Sequence, residues 1–233
     1  MLNSNPNKVS LTALPPLALY IHFPWCEKKC PYCDFNSHQI KEGKAGFNEA
    51  RYINALIADL ETELPNTWGR QVHSIFIGGG TPSLISAQGY AQLFAALQLL
   101  LPWQANCEVT MEANPDDLSQ AILTVLREIG FNRLSMGVQS FSESDLKLRN
   151  RRHGVMQAIQ SVKWAKTAGF SNISIDLIYG LPNQTLEEWE RNVRIAVELD
   201  VQHISAYNLT YHEGTVFYDR LKKGILKELP DEL

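Results

Sequence analysis

The chain has 233 residues, of which 45% are hydrophobic and 20% charged, and its formal net charge is −4 at pH 7. This length and composition suit one large domain with a well-filled core. The negative charge argues against a general nucleic-acid or anionic-membrane binder. No run reaches the roughly 18 apolar residues that span a bilayer, and the N-terminus lacks the pattern of a signal peptide. We therefore expect a cytoplasmic protein that has no transmembrane segment and binds no nucleic acid.

The first quarter of the chain predicts a lead-in, a strand and a helix. Residues 1–16 are polar and rich in proline, and we expect a flexible segment there. A strand follows over 18–23, and residues 41–47 form a glycine-bearing loop. The next helix has one apolar face, and we expect Pro65 to end it. The residues of that face are Ile53, Leu56, Ile57, Leu60 and Leu64.

From there strands alternate with helices. We predict strands over 73–77, 107–112, 133–138, 172–178 and 203–209. One helix is predicted over 86–101. A second begins at a cap formed by Asp116 or Asp117 and stops before Gly130. A third covers 142–168 and is broken at Gly154. Thr185 and Glu188 predict a capping box. The helix after it has an apolar face of Leu186, Trp189, Val193 and Val197, and a short polar helix ends the chain.

This alternation implies a parallel sheet with right-handed crossovers. A doubly wound sheet and a β/α barrel both fit it. The barrel is favoured because Glu112, Gln139, Asp176, Asn208 and the cysteines lie near the C-terminal ends of different strands, where barrels carry their active sites. We therefore predict an α/β fold, a partial (β/α)6 TIM-like barrel over 17–212. Residues 213–233 are expected to begin a C-terminal region that is cut short.

Three of the four cysteines are Cys26, Cys30 and Cys33, spaced C-x3-C-x2-C after the first strand. One interpretation is a zinc site with His22 or His38 as fourth ligand, although such sites usually pair two short cysteine knuckles. A redox dithiol at Cys30 and Cys33 is another, but it leaves Cys26 without a role. The spacing favours an iron–sulfur cluster in which three thiolates hold three irons and the fourth iron stays open.

Several motifs in a fixed order carry a resemblance to a known family. The cysteine spacing, with Tyr32 before the third cysteine, resembles that of the radical S-adenosylmethionine (SAM) superfamily. The wider set of motifs is similar to that of the oxygen-independent coproporphyrinogen III oxidase group, and within it to the HemW-type haem chaperones. The segments that carry this wider resemblance are 20–26, 78–82, 137–141 and 176–182.

The resemblance implies a cofactor set and the residues that hold it. It implies a [4Fe-4S] cluster on Cys26, Cys30 and Cys33, with SAM chelating the open iron and cleaved there to methionine and a 5′-deoxyadenosyl radical. A reductant such as flavodoxin or ferredoxin would supply the electron. The residues that carry over as SAM contacts are Tyr20, Tyr32, Gly79, Gly80, Thr81, Glu112, Gln139, Arg151 and Asp176.

Several of these positions also have structural explanations. Glycines 78–80 also suit a tight strand-to-helix turn, and Glu112 also suits the cap of the next helix. The basic run 149–153 is typical of a solvated face, except at Arg151, although its arginines could also meet carboxylates of SAM or of porphyrin propionates. Cys107 is expected to fill the core, and His22 and His38 to take part in packing or loop hydrogen bonds.

One position separates two functions that the resemblance allows. True oxidases of the group have a further cysteine two residues after the third, where this chain has Phe35. The resemblance therefore favours a chaperone that binds haem, or another porphyrin, and transfers haem to an acceptor protein. The alternative is oxidative decarboxylation of coproporphyrinogen III, so whether the protein is an enzyme stays open. A cluster-binding protein with another radical substrate is a third option. The family's His-Asn-x-x-Tyr-Trp segment, which is associated with haem, is absent from this sequence.

Overall fold

The computed structural model describes residues 14–40 and 47–230, and eight strands lie within them. They are β1 (Leu17–Phe23), β2 (Trp25–Cys26), β3 (His38–Gln39), β4 (Val72–Gly79), β5 (Trp103–Ala113), β6 (Arg133–Gln139), β7 (Ile173–Tyr179) and β8 (His203–Asn208). Six of them form one parallel sheet in the order β1-β4-β5-β6-β7-β8, and β2 pairs with β3 beside it. Most of the predicted lead-in (residues 1–13) and of the 41–47 loop lie outside the described residues.

Helices connect the strands of the large sheet. They are α1 (Glu49–Thr67), α2 (Ala87–Leu100), α3 (Gln120–Ile129), α4 (Glu143–Leu148), α5 (Val155–Thr167), α6 (Leu186–Glu198) and α7 (Val216–Lys222). α1 packs against α2, α2 against α3, and α3 against α5. No helix of the described ranges is long and apolar enough to cross a membrane.

The strand order decides between the two predicted architectures. In a doubly wound sheet the order reverses at a switch point, but here the six strands follow one another in chain order without reversal. All five pairings are parallel, and β1 and β8 are the two edges of the sheet. The fold is therefore α/β, a partial (β/α)6 barrel, and the predicted fold class is confirmed.

The two faces of these strands differ in chemistry. Because successive side chains point to opposite faces, Met111 and Leu134 lie under the helices at 0% exposure. Their neighbours Glu112 and Ser135 face the inside of the barrel, where Asp176 joins them. The inside is thus polar, and the apolar core lies between sheet and helices.

Two predicted helix boundaries are wrong. α1 continues through Pro65 to Thr67, where the Thr67 hydroxyl donates to the Leu64 backbone oxygen at 2.8 Å and Arg70 Nε donates to that of Thr67 at 3.0 Å. These bonds satisfy carbonyls at the helix end, and Pro65 lies in the last turn of the helix. α3 begins after the N-cap Ser119, whose hydroxyl accepts from the Ile122 amide. Asp116 and Asp117 instead lie in a 3₁₀ turn, Pro115–Asp117.

The capping box at α6 is present, because the side chains of Thr185 and Glu188 each accept from the other's amide. The predicted apolar face of this helix is only partly right. Leu186 is 62% exposed and Val197 63% exposed. The buried positions Asn192 and Ala196 lie one helical turn apart and place those two outside the packed face.

Candidate cluster and cofactor site

A cavity of about 390 Å³ opens at the C-terminal ends of the strands, within the range of about 300–1,000 Å³ that small-molecule sites occupy. Every predicted site residue except Tyr20 lines it. Those residues are Cys26, Cys30, Tyr32, Cys33, Gly79, Gly80, Thr81, Glu112, Gln139, Arg151 and Asp176. The structure therefore brings together residues from four strands of the sheet and the cysteine loop.

The cysteine loop, residues 24–40, is ordered by its own backbone. The amide of Cys33 donates to the Cys30 oxygen at 3.2 Å, and the amide of Ile40 donates to the Cys26 oxygen at 2.8 Å. Lys29 Nζ closes the loop by donating to the backbone oxygens of Phe35 and Ser37 at 3.0 and 2.9 Å. All three thiols are free. The loop thus presents three unpaired sulfurs from a fixed backbone.

The triple-glycine turn is bound to this loop, so part of its glycine requirement is structural. Gly80 N donates to the Phe23 oxygen at 2.6 Å and Thr81 N to the Trp25 oxygen at 2.8 Å. Gly79 has φ of 111°, and a Cβ there would meet the His22 ring. These amides are therefore used within the protein. What the turn leaves for a ligand's amino group is carbonyl oxygens and the Thr81 hydroxyl.

Two carboxylates face the cavity from neighbouring parts of the barrel. Burial raises the pKa of Glu112; the amide of Gly79, which donates to its Oε2 at 2.9 Å, lowers it in part, and Asp176 raises it further. Burial also raises the pKa of Asp176, and hydrogen bonding to Ser205 offsets this in part. Arg133 and His203 lower the pKa of Asp176, and His22 that of Glu112, but only in part. Such buried carboxylates favour a cationic ligand. SAM carries a sulfonium and an ammonium group beside its carboxylate, so its cationic groups suit this pair.

The basic run 149–153 is only partly a solvated face: Asn150 and Arg152 are exposed, but Arg149 and His153 are buried, which corrects the prediction for those two. Arg149 is fully buried, and His153 is 3% exposed with Nε2 3.0 Å from the Val138 oxygen. Arg151 Nη1 donates to Cys30 Sγ at 3.2 Å, and its Nη2 donates to the Gly137 oxygen at 2.8 Å. Arg152 pairs with Glu27 of the cysteine loop, and its Nε lies 2.9 Å from Asp116 Oδ2. The run holds the loop against the barrel.

Three predicted SAM contacts remain to be described: Tyr20 lies outside the cavity, and Tyr32 and Gln139 line it. Tyr20 is 60% exposed and its hydroxyl lies 2.8 Å from His22 Nδ1, while the other nitrogen of that ring lies 2.8 Å from the Asn36 oxygen. His22 therefore makes loop hydrogen bonds, as predicted. Burial, and next the nearby Cys30, raise the pKa of Tyr32. Gln139 has φ of 71° at the end of β6, a strained backbone of the kind that concentrates at functional sites.

The donor set fits an iron–sulfur cluster. Within residues 14–40 and 47–230, no three His, Cys, Asp or Glu side chains are arranged to hold one metal ion together. A cluster does not require this, since each thiolate binds a different iron. Arg151 points a guanidinium at Cys30, and its own Nε and that of Arg149 are buried without a hydrogen-bond partner in the described residues. Buried cations at this wall favour an anionic group at the cysteines.

Sequence reasoning missed Asn114, which follows β5 and lines the cavity. Its amide nitrogen is 3.4 Å from the Thr81 hydroxyl, and its oxygen accepts from Arg151. Its position two residues after Glu112, at a strand end, was the available signal. The mouth of the cavity also includes Phe35, Tyr207 and His212, which no motif singled out as contacts.

Known proteins match this chain at the level of a family model, of sequence and of fold. The model described as the radical SAM superfamily matches residues 20–196. "Heme chaperone HemW" of Escherichia coli (strain K12) is 44% identical over 210 residues, which cover 90% of this chain and 55% of the relative. "Radical S-adenosyl methionine domain-containing protein 1, mitochondrial" of Bos taurus is 36% identical, covering 93% of this chain and 48% of the relative.

A solved structure agrees with these matches. The coproporphyrinogen III oxidase HemN of Escherichia coli, described as a radical SAM enzyme, superposes with a TM-score of 0.81 at 31% identity, over 93% of this chain and 49% of that one. This chain spans about half the length of the curated relatives it matches. The family implies a [4Fe-4S] cluster and SAM, which agrees with the cavity. The family model covers more than half of the residues, and the chain belongs to the radical SAM superfamily.

Proposed function

We propose that this chain supplies the cluster- and SAM-binding core of a haem chaperone, which binds haem and transfers it to an acceptor protein. The observation that carries the proposal is its likeness to chaperones named HemW, at 40–44% identity in relatives from several bacteria. The proposal includes a cytoplasmic location and a low-potential reductant of the flavodoxin or ferredoxin class.

The chain's own residues support cofactor binding in this role. Cys26, Cys30 and Cys33 would hold the cluster, and Glu112 and Asp176 would bind the cationic groups of SAM. Gly79, Gly80, Thr81, Gln139 and Arg151 would orient SAM in the cavity that they line. When bound, the reduced cluster supplies one electron at a time to SAM on its open iron. The partly closed barrel would exclude bulk water from that contact.

Phe35 supports the chaperone over the oxidase. The side chain at this position lines the cavity mouth and is 57% exposed. The resemblance assigns a further cysteine to the oxidases at this position. An aromatic ring cannot replace that cysteine, whether the cysteine acts in ligation or in redox chemistry. The exposed ring also offers an apolar surface to a flat tetrapyrrole.

The second candidate is the oxidase itself. It is favoured by the likeness to the coproporphyrinogen III oxidase structure, with a TM-score of 0.81. The cavity is lined by the residues that we propose to contact SAM. Either activity would need them, so the cavity does not separate the two functions.

The test uses the anaerobically reconstituted protein. Under the proposal, haem titration gives saturable binding, and mixing with apomyoglobin returns the haem to that acceptor, as its Soret band reports. Incubation with coproporphyrinogen III, SAM and a reductant then yields no protoporphyrinogen IX. Decarboxylated product above the level of the Cys30→Ser control would overturn the proposal in favour of the oxidase.

A further inference from the structure

A buried guanidinium lies behind the wall of the cavity, outside the set of residues expected to touch SAM. Arg149 follows α4 and is 0% exposed. Its Nη1 donates to the Gln139 backbone oxygen at 2.6 Å, and its Nη2 lies 3.4 Å from that of Ile178. Arg149 thus joins the C-terminal ends of β6 and β7 without lining the cavity.

Little negative charge balances this cation. Among the described residues its ion-pair partner is Asp145, whose Oδ2 lies 3.8 Å from Nη2. The two carbonyl oxygens have no net charge. Arg151, which is half-buried and lines the cavity, donates to Asn114, to the Gly137 oxygen and to Cys30 Sγ. Asp145 is loosely placed, and Asp116, which also acts on Arg151, is shared with Arg152 and His153. This leaves an excess of positive charge, which is unfavourable unless an anion lies nearby.

Residues of the cysteine loop lie near enough to Arg149 to act on its charge. Leu148, next to Arg149, and Tyr32 of the cysteine loop both pack against a small apolar cluster that contains Ile178. Burial lowers the pKa of Arg149 to about 10, and the nearby Tyr32 and Cys30 act against this. Arg149 therefore stays charged at neutral pH, and Cys30 is among the groups that act on its charge.

We propose that Arg149 is a positioning residue for the redox chemistry of the site: its buried charge stabilises the reduced, more negative state of a cluster on the cysteine loop and raises the cluster's reduction potential. The inference rests on the cluster binding in the proposed function. The step is a one-electron transfer from a low-potential donor, which is oxidised by one electron as the cluster is reduced, and no bond forms or breaks. Screening by salt is weak for a buried charge.

The experiment is a potentiometric titration of the reconstituted protein, followed by electron paramagnetic resonance of the reduced cluster. In Arg149→Met the cation is lost, and we expect the equilibrium constant for reduction to fall on the order of tenfold, which is about 59 mV for one electron. Arg149→Lys keeps the charge but loses the two-carbonyl fork, and its potential should stay near that of the parent. The exposed Lys147→Gln, in α4 just before Arg149, is the matched control and should cause no shift.

A second variant tests the same claim with the opposite sign. Asp145→Asn removes the partial counter-charge and keeps the oxygen that accepts from the Ser140 hydroxyl at 2.8 Å. We expect its cluster to become easier to reduce. This variant also decides the matter if Arg149→Met takes up no cluster.

The outcomes separate this inference from the proposed function. If Asp145→Asn has the potential of the parent, and Arg149→Met, where it holds a cluster, does too, Arg149 is only structural and the inference is wrong, whatever the result with haem. If the parent protein takes up no cluster, both the inference and the cofactor part of the proposed function are wrong.

Discussion

The outer and inner faces of the barrel strands differ in polarity, because the outer face is apolar and packed under helices and the inner face carries polar side chains. Met111 and Glu112 are consecutive, as are Leu134 and Ser135, yet the first of each pair is fully buried under helices and the second faces the cavity. The outer face stabilises the fold. The inner face carries Glu112 and Asp176, whose raised pKa values mean that folding disfavours their charged forms. Stability and ligand binding are therefore assigned to opposite sides of the same strands.

The largest effect on stability is expected on the outer face. Leu134→Ala removes a side chain with 0% exposure and leaves a cavity between β6 and the helices. We expect the free energy of unfolding to fall by about 2–5 kcal/mol, as measured by urea denaturation. SAM affinity in the folded fraction should stay within about twofold. A loss of SAM affinity as large as that of an inner-face variant would contradict the division between the faces.

On the inner face the expected effect is on binding. Glu112→Gln keeps an oxygen that can accept from the Gly79 amide but removes the charge. We expect SAM to bind about 10–100-fold more weakly, which corresponds to about 1.4–2.8 kcal/mol. The free energy of unfolding should stay level or rise, because a buried charge is removed. Equilibrium binding measures the SAM affinity, and urea denaturation measures the free energy of unfolding. A large loss of stability with SAM affinity unchanged would mean that Glu112 serves stability and not ligand binding.

The pKa shifts predict a pH dependence of binding. Glu112 and Asp176 have pKa values raised by burial, so both become protonated at a higher pH than exposed carboxyls do. SAM affinity should therefore fall as the pH drops through these raised values, by up to about tenfold per pH unit for each carboxylate. The two groups' effect on stability has the opposite sign: it is favourable at low pH and lost as the pH rises through the folded-state values.

A pH series of SAM binding checks this, within the range where the cluster absorbance is constant. In Glu112→Gln the slope should become shallower, because only Asp176 still titrates. A profile that is the same in the variant and the parent would show that Glu112 does not contact the cationic part of SAM.

The smallest effect on the free energy of unfolding is expected at an exposed helix residue, outside both faces of the barrel strands. Leu186 begins α6 and is 62% exposed. Leu186→Gln should change the free energy of unfolding by no more than about 0.5 kcal/mol. Urea denaturation beside Leu134→Ala compares an exposed with a buried leucine, and a loss above about 2 kcal/mol would mean that Leu186 is buried in solution.

The alternation of strands and helices could be predicted because it follows from the local periodicity of apolar residues. The ends of the predicted strands then located the site. The pairing of β2 with β3 could not, since two-residue strands have no periodicity. The burial of Arg149 was missed for a related reason: its partners Gln139 and Ile178 lie 10 and 29 residues away. The positions of Asp116 and Asp117 depended likewise on Arg152, which lies far along the chain.

The central claim is that Cys26, Cys30 and Cys33 together hold a [4Fe-4S] cluster at the mouth of this barrel. The most direct measurement is the iron and acid-labile sulfide content per chain after anaerobic reconstitution. The parent and Cys107→Ala, whose cysteine lies in the core, should contain about four of each. Replacing any one of the three loop cysteines by serine should abolish this content. Stoichiometric zinc without cluster absorbance in the parent, or undiminished iron and sulfide in Cys30→Ser, would contradict the account.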